Sequence, residues 1–176
     1  METALAEGDS TEGRTFRVRR MSYKLKKENA LMLVEPSEEI SKAYAIKSDK
    51  CIRVAKLAYE AGIYENAISE AYYSIYNTLT SLFYKCGIKC ENHSASAILL
   101  KDLFNLLDLY DTFFEFKKDR IDNQYYLPIK DKEPITQEKC KERINVAQRF
   151  NIELRAIISR INLKEIDFYR NKFDDL

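Results

Sequence analysis

Along most of the chain apolar residues recur at steps of three and four, the spacing that lines one face of a helix. The clearest run is Ile68, Tyr72, Ile75, Leu79, Leu82 and Cys86, which predicts a helix from about Glu65 to Cys86 with Gly87 as its stop. An earlier helix opens at Ser37, an N-cap followed by Glu38 and Glu39, and passes through Ile40, Tyr44, Cys51, Val54, Ala55 and Ala58 to Gly62; its spacing predicts that this row faces the core. Between Ser22 and Pro36 the pattern fits at most a short helix, ended by the proline. After a polar link from Lys89 to Asn92, a helix is expected from about His93 to Asp108, capped by Asn92 or Ser94, with Ala97, Leu100, Phe104 and Leu107 buried. A fourth is expected from near Asp111 to Tyr126, before Pro128, and Ile129 to Pro134 reads as a charged loop. Thr136 caps a long fifth helix with the seam Cys140, Ile144, Ala147, Asn151, Leu154 and Ile158, and the tail beyond Asn162 reads as its extension.

Composition narrows the picture. The 176 residues suit one domain, and only 4 Gly and 3 Pro leave little turn chemistry for a β-rich fold. With short links between long helices, the expected fold class is all-α, an up-and-down antiparallel bundle of four to five helices. Residues 1–21 lack periodic apolar positions and carry Arg14, Arg17, Arg19 and Arg20; they read either as a disordered leader or tag ending at Met21 or as a basic arm for nucleic-acid phosphates. The bundle domain is assigned to residues 22–176. Lys and Arg number 29 against 28 Asp and Glu, a net charge of +1, so no whole-molecule field draws the chain to nucleic acid or membrane. No apolar run reaches the roughly 20 residues of a membrane span, and a cytoplasmic location with reduced cysteines is expected.

Candidate chemistry is sparse. There is one histidine, His93, and no tryptophan, which excludes paired-histidine metal sites, and no Ser-His-Asp motif or glycine-rich phosphate loop is present. Cys86, Cys90 and His93 bracket one interhelical turn, but the spacing is no known zinc knuckle and Cys86 lies on the apolar seam, so buried thiols are expected and no metal or cofactor. Arg120 precedes Asp122, Asn123, Gln124, Tyr125 and Tyr126. A guanidinium there is suited to gripping a phosphate, with Tyr125 on roughly the same side; the alternative is an ordinary ion pair with Glu115 or Asp119. The run from Ala71 to Tyr76 reads as a base-stacking platform or, more simply, as core rings at Tyr72 and Tyr76 with hydroxyls at the bundle's edge. Glu65 and Glu70 read as salt-bridge formers.

Taken in order, Glu35-Pro36-Ser37, the segment Ala58 to Tyr64, the segment Ala67 to Tyr76, Cys86-Gly87-Ile88, Asn92-His93-Ser94 and the segment Arg120 to Tyr125 resemble the HEPN superfamily, in particular its small stand-alone prokaryotic branch. The resemblance runs from about Glu35 into the fifth helix. It implies a helical bundle, often a homodimer, that binds nucleotide or RNA and is frequently partnered by a small nucleotidyltransferase in a toxin–antitoxin-like module. Many relatives are metal-independent ribonucleases whose motif is an arginine followed a few residues later by histidine on the same helix. Arg120 matches the arginine, whereas Gln124, Tyr125 and Tyr126 stand where the histidine belongs, so the usual acid–base partner is absent. The resemblance thus implies phosphate or nucleotide binding by Arg120, Tyr125 and His93, the last at a helix start where backbone N–H groups favour anions. A degenerate ribonuclease using the same three residues, and a non-catalytic helical adaptor, stand as the alternatives.

Overall fold

The computed structural model describes residues 24–125 and 135–174, with the backbone alone for 120–125; the expected leader, Tyr126 and the loop from Ile129 to Pro134 lie outside the described residues. A helical turn at residues 24–27 leads to strand β1 (Leu31–Leu33), then α1 (Glu38–Glu60), α2 (Tyr64–Lys85), β2 (Ile88–Cys90), and α3 (His93–Ile98), which runs into a π-helical turn over Leu99–Leu103. Helices α4 (Leu107–Tyr125), α5 (Gln137–Arg160) and α6 (Leu163–Asp174) complete the order. The class is all-α.

Contacts set the directions. Ser41 meets Ser81 and Ser48 meets Ser74, so α1 and α2 are antiparallel; Gln137 at the start of α5 reaches Tyr59 while Arg155 near its end reaches Ala45 O and Asp49, so α5 also runs against α1 and therefore along α2. This is the up-and-down arrangement. Helix α2 is the central element, with Ile68, Tyr72, Ile75, Leu79 and Leu82 all buried. Ser37 caps α1 by accepting from Ile40 N, and Thr136 caps α5 by accepting from Lys139 N, each satisfying an orphan N–H of the first turn.

Several expectations are corrected. The apolar part of the Ser22–Pro36 segment and the supposed polar link after Gly87 are not helix and loop; across the two intervening helices they pair as a two-stranded antiparallel sheet, Leu31 opposite Cys90 and Leu33 opposite Ile88. Three-residue strands carry too little periodicity to betray themselves. Helix α1 buries its apolar row only in part: Ala55 is in the core and Ala58 packs against it, but Ile40 is 41% and Val54 47% exposed, and Ser41 and Ser48 face the core in their place. The third helix ends early, because Asn105 takes a left-handed φ of 56° and α4 begins at Leu107; Leu107 is 51% exposed, not buried. The tail is a separate helix. Asn162 accepts from Lys164 N and Glu165 N while Glu165 accepts from Asn162 N, a reciprocal cap that starts α6 anew.

Helix α6 is held by cations on backbone carbonyls: Arg170 Nη1 donates to Val34 O at 2.6 Å and Gly87 O at 3.0 Å, and Lys172 to Leu103 O at 2.9 Å. Gly87 sits under that clamp with φ 69°, where an added Cβ would lie 2.2 Å from Arg170 Nη1 and 2.6 Å from Val34 O. Gly62 has a similar φ of 74° with nothing within 4 Å. Gly62→Ala should therefore cost only the left-handed backbone penalty, about 1–2 kcal/mol. Gly87→Ala adds a clash with Arg170 and the Val34 carbonyl and should cost more than about 2 kcal/mol. Urea melts of the two variants check the ordering; equal losses would contradict it.

Candidate functional site

Tyr72 is wholly buried in the middle of α2, so its hydroxyl requires a partner. That partner is His93 Nδ1, at the start of α3. The imidazole also packs 4.2 Å from the Tyr76 ring, and Phe113 of α4 lies 5.9 Å from Tyr72 and 6.5 Å from Tyr76. His93 is thus an oriented ring in an aromatic cluster, and both tyrosines fall where the core reading placed them. Burial pushes the Tyr76 hydroxyl up to about 12.

Tyr76 and His93 of this cluster also line a groove with a volume of about 470 Å³. Glu70, Tyr73, Asn77, Thr80 and Tyr84 recur at helical spacing along α2 and make its floor, with Tyr76 beside them; Tyr44, Lys47 and Cys51 of α1 form one wall, and Cys90, Glu91 and His93 the other. Such a volume, lined by rings with a few polar groups, is typical of small-molecule sites. Tyr44 and Tyr84 stack at 5.4 Å, and the Lys47 ammonium lies 5.7 Å from the Tyr44 ring. Glu91 is paired with Lys89 at 3.1 Å. Glu70, which read as a salt-bridge former, has no cation within ion-pair distance among the described residues; it is a half-buried carboxylate on the groove floor.

Helix α4 supplies a second side. Lys117 is half-buried and donates to Ser94 Oγ at 2.6 Å, one residue from His93. Desolvation lowers its pKa, and no carboxylate pairs with it among the described residues. Sequence reasoning missed Lys117, because a lysine in Phe116-Lys117-Lys118 reads as a solvated face. Arg120 follows one helical turn later, so its backbone lies on the same side of α4 as Lys117 and Phe113. The side chains of Arg120 and Tyr125 lie outside the described residues. Glu115 and Asp119, the alternative partners for Arg120, are both engaged by Arg143 of α5, at 3.0 Å and 2.8 Å.

One expectation for the site changes. The start of α3 is not an open anion seat: Asn92 Oδ1 already accepts from Ser94 N and Ala95 N. His93 contributes its ring rather than a free helix end. The cysteines are unpaired; Cys86 and Cys140 are fully buried and Cys90 nearly so, with desolvation pushing Cys86 up to about 12. Among the described residues no group of His, Cys, Asp or Glu is placed to hold a metal ion, and no helix is long and apolar enough to cross a membrane.

The structure is a helical bundle with an aromatic groove beside a cation-bearing helix. The HEPN domain model matches residues 41–156, from α1 to α5, and the chain belongs to the HEPN family. Domains of this family are in general nucleotide- or RNA-related and often dimerise. No curated protein matches the chain.

Cys51 is the one half-exposed thiol, and burial, then the Glu70 carboxylate, hold its pKa above the usual thiol range. In native protein a thiol reagent should therefore label Cys51 slowly and first, faster as pH rises, since the thiolate is the nucleophile. All four cysteines should react in denaturant. Mass spectrometry of the labelled peptides checks this; rapid labelling of Cys86 or Cys140 in folded protein would contradict the burial.

Proposed function

We propose that this protein is a HEPN-type nucleotide- or RNA-binding bundle whose phosphate side is made by Arg120, Tyr125 and His93, joined by Lys117. The observation that carries the reading is Lys117: a half-buried cation held at Ser94, beside His93 and one turn from Arg120. Two cations on one helix face, next to an aromatic groove, supply charge-assisted donors for phosphate and rings for a base. In this reading the protein works as a homodimer, consistent with the exposed Leu107 and Phe114 on the outer side of α4. It serves as partner to a small nucleotidyltransferase in a toxin–antitoxin-like module. A degenerate ribonuclease is the second reading, favoured by the placement of an oriented imidazole beside the helix that carries Arg120.

Short single-stranded RNA should bind, and Arg120→Ala should weaken it roughly tenfold or more, since a charge-assisted hydrogen bond contributes about 1.5–3 kcal/mol. Arg120→Lys should recover part, keeping the charge without the fork. Titration with labelled RNA at fixed salt reads this. Equal affinities for wild type and Arg120→Ala, or no binding by either, would overturn the proposal; cleavage of that RNA lost in Arg120→Ala would favour the ribonuclease.

A further inference from the structure

The polar groups of the groove are arranged as an acceptor set facing a donor. Glu70 and Asn77 stand two helical turns apart on the α2 floor, and Lys47 lines the α1 wall opposite. Asn77 is buried and donates its Nδ2 to Tyr73 O at 2.7 Å and to Cys51 Sγ at 3.5 Å, so it fixes the groove floor and leaves Lys47 and Glu70 as the groups open to a ligand. Lys47 and Glu70 both act on the Cys51 thiol, which lines the same groove, the glutamate raising its pKa and the lysine lowering it. Yet the two do not pair with each other: among the described residues neither has an opposite charge within 4.0 Å. A cation and an anion held apart across a groove between tyrosine rings leave room for a planar group whose edge offers an acceptor to one and donors to the other.

We propose that the groove is a guanine-selective base site, with the Glu70 carboxylate accepting N1–H and N2–H of the base and Lys47 donating to O6. This rests on the nucleotide-binding reading above and specifies the base. The edge chemistry selects among bases. Guanine presents, in order, an acceptor and two donors, which matches ammonium and carboxylate. Adenine turns its N1 acceptor towards the carboxylate, and uracil and cytosine turn O2 towards it, each a repulsive contact for an ionised Glu70. The ring plane packs against the tyrosine wall of Tyr73 and Tyr76, and the His93 end lies towards α4, where the phosphate-binding cations are proposed. The cavity, about 470 Å³, admits a mononucleotide.

Calorimetric titration of the full chain with GMP, IMP, AMP, CMP and UMP tests this, with N-acetyl-arginine amide as a further probe, because a partner's guanidinium offers similar paired donors. GMP should bind tightest. IMP, which lacks the 2-amino group, should bind about tenfold more weakly, the loss of one hydrogen bond to a charged group. Glu70→Gln, isosteric and on a helix surface, should weaken GMP at least tenfold and bring GMP and IMP together without lowering the melting temperature. GMP, but not AMP, should also protect Cys51 from slow alkylation in wild type. RNA binding that depends on Arg120, with GMP and AMP bound equally and Glu70→Gln without effect, would overturn the base site while leaving the nucleic-acid reading standing. Binding of neither nucleotide nor RNA would overturn both. Glu70-dependent binding of the arginine amide alone would overturn the guanine assignment in favour of a protein partner.

Discussion

The architecture depends on a buried seam of hydroxyl groups between α1, α2 and α5. Ser48, Ser74, Thr78 and Asn151 close a ring of hydrogen bonds, with Ser48 to Thr78 and Thr78 to Asn151 both at 2.8 Å, and Ser41 and Ser81 pair two turns away. Small side chains let the helices approach closely. Hydrogen bonds then fix which residues meet, because one lost partner leaves a buried polar atom unsatisfied at a cost of about 1–3 kcal/mol. A one-residue slip would turn α1 by about 100° and break every pair at once. An apolar seam would tolerate such sliding far better.

That register is what builds the groove. Tyr44, Lys47 and Cys51 lie just around α1 from Ser41 and Ser48, and Glu70, Tyr73, Asn77, Thr80 and Tyr84 lie just around α2 from Ser74, Thr78 and Ser81. The two stripes face each other only because the serines between them are locked. The same logic explains why α1 leaves Ile40 and Val54 towards solvent. The packing face combines small hydroxyl side chains with Ala55, so closeness and hydrogen bonding choose it together with apolar burial. The remaining wall comes from the end of β2 and the start of α3, and Arg170 of α6 pins the strand pair through Val34 O and Gly87 O. A helix beyond the family match therefore helps to hold β2 and, through it, His93.

The helices of the bundle were legible from apolar periodicity wherever packing is apolar, as along α2 and α5, and their caps from Ser37, Thr136, Gly62 and Gly87. What was hidden follows from the physics of the exceptions. A helix that packs through serine presents a misleading apolar row. A three-residue strand has too short a period to register. The reciprocal cap of Asn162 and Glu165 was visible as Asn-x-x-Glu but lay inside a long helical pattern. Of the site, His93 and the Tyr72–Tyr76 cluster were readable; Lys117, Lys47 and Glu70 were not, because a charged residue on a helix announces neither its burial nor its missing partner. Only the fold reveals that Lys117 is half-buried at Ser94 and that Glu70 lacks a cation among the described residues.

Arg143 completes the electrostatic logic of the phosphate side. It pairs with Glu115 and Asp119 and lies 5.3 Å from the Phe116 ring, with only 19% of its own side chain exposed. Those two carboxylates precede Arg120 on α4, and the C-terminal end of a helix already carries partial negative charge. Left unpaired, they would oppose any phosphate drawn to Lys117 and Arg120. Held by a planar guanidinium from α5, the pair has half its charge offset and Asp119 is kept against the bundle at 19% exposure, since the fork fixes direction as well as charge. The anion site proposed on α4 thus requires a third cation that touches no ligand, and Arg143 is placed to act as that positioning residue.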